Sequence, residues 1–212
     1  VYVAGTDNRV KVAAPSVGGQ GFRTMSWKFL PEKRRQVPNG DVELFRATLG
    51  FQSYAPRIKA PLLWLGSTND FHGIMDDTYR TGVLIPHKQV RYSFAPHLNH
   101  RFTPEFSVTR PLWLDQHLRG GLRLPLMPST RLVLETVPKF IVTPDSSRPI
   151  EKVDIMYSVD PDPPARFWRT AMVSREGASW VAELPILSVK QPLFAFANVH
   201  YRLEQPVEVP FS

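Results

Sequence analysis

Residues 60–102 read APLLWLGSTNDFHGIMDDTYRTGVLIPHKQVRYSFAPHLNHRF. Within that stretch, Leu62 to Leu65 is continuously apolar, as a central parallel strand covered on both faces requires, and the run ends in Ser67-Thr68-Asn69-Asp70. A second strand-like run, Lys88 to Phe94, ends in Pro96-His97-Leu98-Asn99-His100. Met75 to Leu84, between them, has the make-up of a crossing helix, with Asp76 and Asp77 supporting its start. An acid at the mouth of one buried strand and a histidine at the mouth of the next supply two members of a Ser-His-Asp relay.

Working outward, Val1 to Ala4 followed by Gly5-Thr6-Asp7 reads as the last turn of a helix with its glycine stop. Arg9 to Ala14 reads as a short buried strand, and the glycines and proline of Pro15 to Phe22 as a loop. Phe22 to Asn39 is irregular, a long excursion over Trp27, Phe29 and Leu30. Asp41 caps a helix whose Leu44, Phe45 and Leu49 share one face. On the other side, Thr109 to Leu118 closes the region as a helix with Pro111 in its first turn and Gly120 as its stop. Strand, helix, strand, helix in sequence predicts a parallel α/β sheet over residues 1–123.

Past Gly121 the period changes. Arg131 to Val137, Lys139 to Thr143, Val153 to Val159, Phe167 to Val173, Trp180 to Leu184 and Phe194 to Leu203 are short runs of β-favouring residues. Turn-rich segments such as Pro161-Asp162-Pro163-Pro164 separate them. Roughly six or seven such strands predict an all-β sandwich of the immunoglobulin or fibronectin kind over residues 124–212. Trp168, Trp180, Phe194 and Phe196 are then core side chains rather than a sugar-binding platform.

Composition narrows the function. The 212 residues are 42% hydrophobic, enough for two modest cores. No apolar run approaches the roughly 18 residues that cross a bilayer, and VYVAGTDNRV lacks the pattern of a signal peptide. A soluble chain is expected, with its compartment left open. The absence of cysteine excludes a disulfide framework, a thiolate metal site and a cysteine nucleophile. The charge of +7 and pI of 9.9 raise nucleic-acid binding, but Lys33-Arg34-Arg35 is the one basic run, so a solvated basic surface is the better reading. No cofactor or metal is expected: Gly18-Gly19-Gln20-Gly21 precedes no Lys-Ser or Lys-Thr, and the histidines form no helical His-x-x-x-His pair.

The phrases APLLWLGSTNDFHG (60–73), VRYSFAPHLNHRFTPEF (90–106) and TRPLWLDQHLRGG (109–121) together resemble the C-terminal third of a bacterial α/β-hydrolase, near the prolyl-oligopeptidase-like and acetyl-xylan-esterase-like branches. The opening VYVAGTDNRVKVAAPSVGG resembles the helix end and strand that follow the nucleophile in that family. The resemblance covers roughly residues 1–121. The tail, with YSVDPDPPARFW and SWVAELP, resembles β-sandwich appendages of some such hydrolases. It implies that the catalytic acid follows the penultimate core strand, at Asp70, and that the histidine follows the last, at His100, with His97 as the alternative base. Ser16, in Ala14-Pro15-Ser16-Val17-Gly18, is the nearest approach to a nucleophile elbow, yet Pro15 and the following glycines oppose the helix an elbow needs. The nucleophile is therefore expected upstream of Val1. The expectation is a serine hydrolase of ester or peptide bonds, inactive as these 212 residues alone and completed by a missing N-terminal half or a complementary chain. The alternative is a non-catalytic binding protein that uses its sandwich, with a remnant hydrolase fold.

Overall fold

The computed structural model describes residues 1–18, 40–101 and 103–203. The excursion from Phe22 to Asn39, with Trp27, Phe29, Leu30 and the run Lys33-Arg34-Arg35, lies outside them. The chain divides into two compact units, Val1–Leu122 with Asp162–Pro164, and Arg123–Pro161 with Ala165–Ser212. Among the described residues no helix is long and apolar enough to cross a membrane.

The first unit is built on β1 (Leu62–Ser67), whose six residues are all buried, and β2 (Val90–Ala95). They pair in parallel, Leu62 opposite Val90 through Ser67 opposite Ala95, which puts their carboxyl ends at one edge. The helix α3 (Met75–Gly82) lies between them in the chain. Ala55, Ile58, Leu62, Trp64 and Ile85 form the core, with Val1, Ala4, Ala13, Val90 and Tyr92 packed against it. The helix α1 (Tyr2–Thr6) contains Gly5 instead of stopping at it, and a Cβ there would lie 2.8 Å from the Cβ of Tyr54, so the glycine permits close packing. In α2 (Val42–Thr48) the Asp41 carboxylate receives the N–H of Leu44 at 2.9 Å, but Leu44 and Leu49 are exposed, so the expected apolar face is not buried. After β2 come α4 (Pro104–Ser107) and α5 (Thr109–Arg119), the latter ended by Gly120 at φ 70°. The indole of buried Trp113 on α5 donates to the Ala13 carbonyl at 3.3 Å.

The expected α/β-hydrolase sheet is overturned. Among the described residues the parallel sheet has two strands, and strand outweighs helix, 29% against 23%. The segment predicted as a strand at Arg9 to Ala14 supplies only one isolated bridge, Ala13 to Leu62, and a second, Ser16 to Leu65, falls in the stretch predicted as loop. Its hydrogen bonds show why. Ala13 N donates to Pro61 O, Leu63 N to Ala13 O, Leu65 N to Pro15 O and Val17 N to Leu65 O. The Leu63 carbonyl between these bonds faces Pro15, whose nitrogen carries no hydrogen, and the ladder breaks there.

The second unit is antiparallel. Its strands are β3 (Ser129–Val133), β4 (Lys139–Thr143), β5 (Ile150–Ser158), β6 (Arg169–Thr170), β7 (Val173–Glu176), β8 (Ser179–Glu183) and β9 (Phe194–Tyr201). They form one sheet of order β3-β4-β8-β7 and another of order β6-β5-β9. Phe140 and Val142 of β4 alternate with less buried neighbours, β5 is buried from Ile155 to Ser158, and Phe140, Val142, Val153, Ile155 and Tyr157 share one core with Ala182 and Leu184. Trp168 is buried edge-on against Phe196 at 4.9 Å, and the buried Arg166 guanidinium sits 3.7 Å from the centre of the Phe194 ring. These aromatics are occupied by packing.

Candidate active site

Because β1 and β2 run parallel and in register, the segments that leave them begin side by side. Thr68 N donates to Ala95 O at 3.1 Å, and the Ser67 hydroxyl donates to Arg101 O. Further along, His97 N donates to the Thr68 hydroxyl at 2.9 Å, Asn69 N to Leu98 O at 3.1 Å, and Phe71 N to the Asn99 side-chain oxygen at 3.4 Å. The two loops are laced together, and Asp70 meets His100 between the Phe71–Asn99 and Ser67–Arg101 bonds.

His100 Nδ1 lies 3.1 Å from Asp70 Oδ1 and 3.0 Å from Oδ2. Asp70 is 1% exposed, and its Oδ1 also accepts the backbone N–H groups of His72 and Gly73, each at 2.7 Å. An ionised carboxylate can only accept, so this arrangement puts the imidazole hydrogen on Nδ1 and the free lone pair on Nε2. The His100 side chain is 44% exposed, and among the described residues nothing hydrogen-bonds to Nε2. A buried carboxylate thus holds one nitrogen of the ring and leaves the other open.

The turn after the acid is tight. A Cβ on Gly73 would fall 2.9 Å from Asp70 Oδ2, 2.8 Å from the Val17 carbonyl carbon and 2.9 Å from Gly18 N, so only glycine lets these backbones close around the carboxylate. Aromatic rings flank the histidine: His72 stands edge-on to it at 5.2 Å, Phe71 is 6.2 Å away, and Phe71 contacts His72 at 4.1 Å. Phe71 is 47% exposed, which leaves an apolar surface beside the His100 ring.

The other two candidates are placed differently. His97 is an exposed residue with a left-handed backbone, φ 59°, and its bond into the site is made by its main-chain N–H to Thr68. Ser16 stands beside Leu65, but among the described residues its buried hydroxyl has no hydrogen-bond partner and makes no bond to His100. Thr68, Gly73, Asn99 and the Phe71–His72 wall were not singled out as site residues from sequence. A signal did exist for the turn, since Asn-Asp followed closely by Gly is the composition of a side-chain-closed turn. Among the described residues no three histidine or acidic side chains gather as a metal site. Compared with family models, curated proteins and solved structures, the chain matches none.

Proposed function

We propose that Asp70 and His100 are the orienter and general base of a serine hydrolase acting on small-molecule esters or peptides. The observation that carries this is the contact of His100 Nδ1 with a buried carboxylate while the far nitrogen remains open. A hydroxyl is a weak nucleophile until a base removes its proton in the transition state. His100 Nε2 takes that proton as the oxygen attacks the carbonyl carbon, and the Nε2 hydrogen then passes to the leaving oxygen or nitrogen as the acyl bond breaks. Water repeats the sequence and frees the acid. Asp70 remains an anion throughout, holding one tautomer and stabilising the imidazolium. The nucleophilic serine comes from outside the described residues, from another stretch of the same protein or from a complementary chain.

The test uses the natural protein that contains this chain, with a fluorophosphonate probe and p-nitrophenyl acetate. Wild-type protein should label covalently and hydrolyse the ester. His100→Ala should lose labelling and lower kcat by about 10³–10⁴-fold, while His97→Gly should keep both. Equal turnover in the wild type and His100→Ala would remove the base and hand the molecule to the binding-protein reading.

A further inference from the structure

We infer that Thr68 is a positioning residue that sets the register of the His100 loop against Asp70; the inference rests on the hydrolase reading of that pair. Thr68 is 1% exposed, and its hydroxyl makes two bonds, accepting from His97 N at 2.9 Å and donating to Asn69 Oδ1 at 2.8 Å. The first bond matters because of the backbone it holds. At φ 59° His97 is in the left-handed region, where a residue with a Cβ persists only when its surroundings impose the conformation. This turn reverses the chain as it leaves β2, and the three residues that follow attach in order: Leu98 to Asn69, Asn99 to Phe71 and His100 to Asp70. The Thr68 hydroxyl fastens the turn itself, after the Thr68–Ala95 backbone bond and ahead of the Asp70–His100 and Ser67–Arg101 contacts. Without it the turn relaxes toward ordinary backbone angles and carries His100 away from the carboxylate.

Thr68 acts through His100, so it governs the chemical step more than substrate affinity. Valine has nearly the same shape without the hydroxyl, whereas serine keeps the hydroxyl. In the natural protein, the His100 side-chain nitrogen and proton resonances, assigned by their loss in His100→Ala, should show a single Nδ1–H tautomer. Thr68→Val should show a mixture of tautomers and a kcat lower by about 10–100-fold with KM unchanged, because a displacement near 1 Å costs on that order. Thr68→Ser should restore both. If Thr68→Val does not fold, Thr68→Ala is read in its place, since alanine also lacks the hydroxyl and leaves His97 in its left-handed turn. A Thr68→Val protein, or the Thr68→Ala protein, with one Nδ1–H tautomer and wild-type kcat would overturn the inference. So would a rise in KM with kcat unchanged. If the wild-type protein hydrolyses nothing yet has a single tautomer that Thr68→Val scrambles, the hydrolase reading falls and the role of Thr68 stands.

Discussion

The carboxylate of Asp70 is useful only because three hydrogen-bond donors hold it in place: the His100 ring and the backbone N–H groups of His72 and Gly73. Two of these depend on a turn that has no room for another atom, since a Cβ at Gly73 would be within 3.0 Å of the carboxylate and of the Val17–Gly18 backbone. Backbone cannot swing aside as a flexible side chain would, so the turn itself must move. Gly73→Ala should destabilise the protein by about 1–3 kcal/mol, the usual scale for overpacking, and should lower kcat beyond what reduced folded protein explains, because Asp70 moves with the turn. Urea unfolding and assays corrected for folded fraction separate the two effects. A stable Gly73→Ala protein with wild-type kcat would show that the turn does not orient the acid. The same turn marks what was legible at this scale. The acid and the histidine could be read from their places after apolar runs, whereas the fastening residues could not, because their roles depend on which loop lies opposite.

Elements were legible where a strong local pattern agrees with its surroundings. The apolar run at Leu62 is β1, the run near Val90 is β2, and the Thr109 segment ended by glycine is α5. The pattern misled where a single atom or a neighbour decided the outcome. Val10 and Val12 alternate as a strand should, but Val10 N closes a turn to Asp7 O and the chain meets β1 only from Ala13, where the missing hydrogen of Pro15 then interrupts the ladder. The Leu44–Leu49 face has helical spacing, yet Leu44 and Leu49 stay exposed and Phe45 alone on that face is half-buried. Pairing across β1 and β2 has a consequence of its own. It stacks Trp64, Tyr92 and Phe94, with ring centres about 6 Å apart at 6.0 and 6.1 Å, and Tyr79 of α3 is 5.6 Å from Tyr92. Burial first, and Tyr79 second, push the Tyr92 hydroxyl well above its ordinary range. Folded protein therefore keeps this proton at a pH where unfolded chain, titrating near 10, has lost it. The stabilisation is complete below pH 10 and declines as pH rises beyond it. Tyr92→Phe should flatten the fall in stability above pH 10, measured by urea unfolding between pH 9 and 11.5; an unchanged slope would show that Tyr92 does not contribute to it.

For the molecule as a whole, stability rests on two apolar cores more than on charge. The pairs Arg9–Asp7, Arg46–Glu43, Arg119–Asp115 and Lys139–Glu135 are local and largely solvent-exposed, so they contribute little and salt screens them. The cores are composed separately: Ala55, Ile58, Leu62, Trp64 and Ile85 lie in the first unit, and Phe140, Val142, Val153, Ile155, Tyr157, Ala171, Ala182 and Leu184 in the second. No residue belongs to both, so a cavity in one should be felt mainly by the unit around it. Ile155 is 0% exposed in the second core, and Ile155→Ala should destabilise that unit by about 2–5 kcal/mol. Hydrogen exchange reads the effect locally, because each 1.4 kcal/mol is a factor of ten in the opening equilibrium. Amides of β4, β5, β8 and β9 should exchange roughly thirtyfold faster or more, on that scale. Amides of β1 and β2 should keep their wild-type rates, and the Asp70–His100 contact should survive wherever the first unit remains folded. Equal acceleration in both units would mean that they unfold as one cooperative body, and a substitution in the second unit would then reach the Asp70–His100 pair through global stability alone.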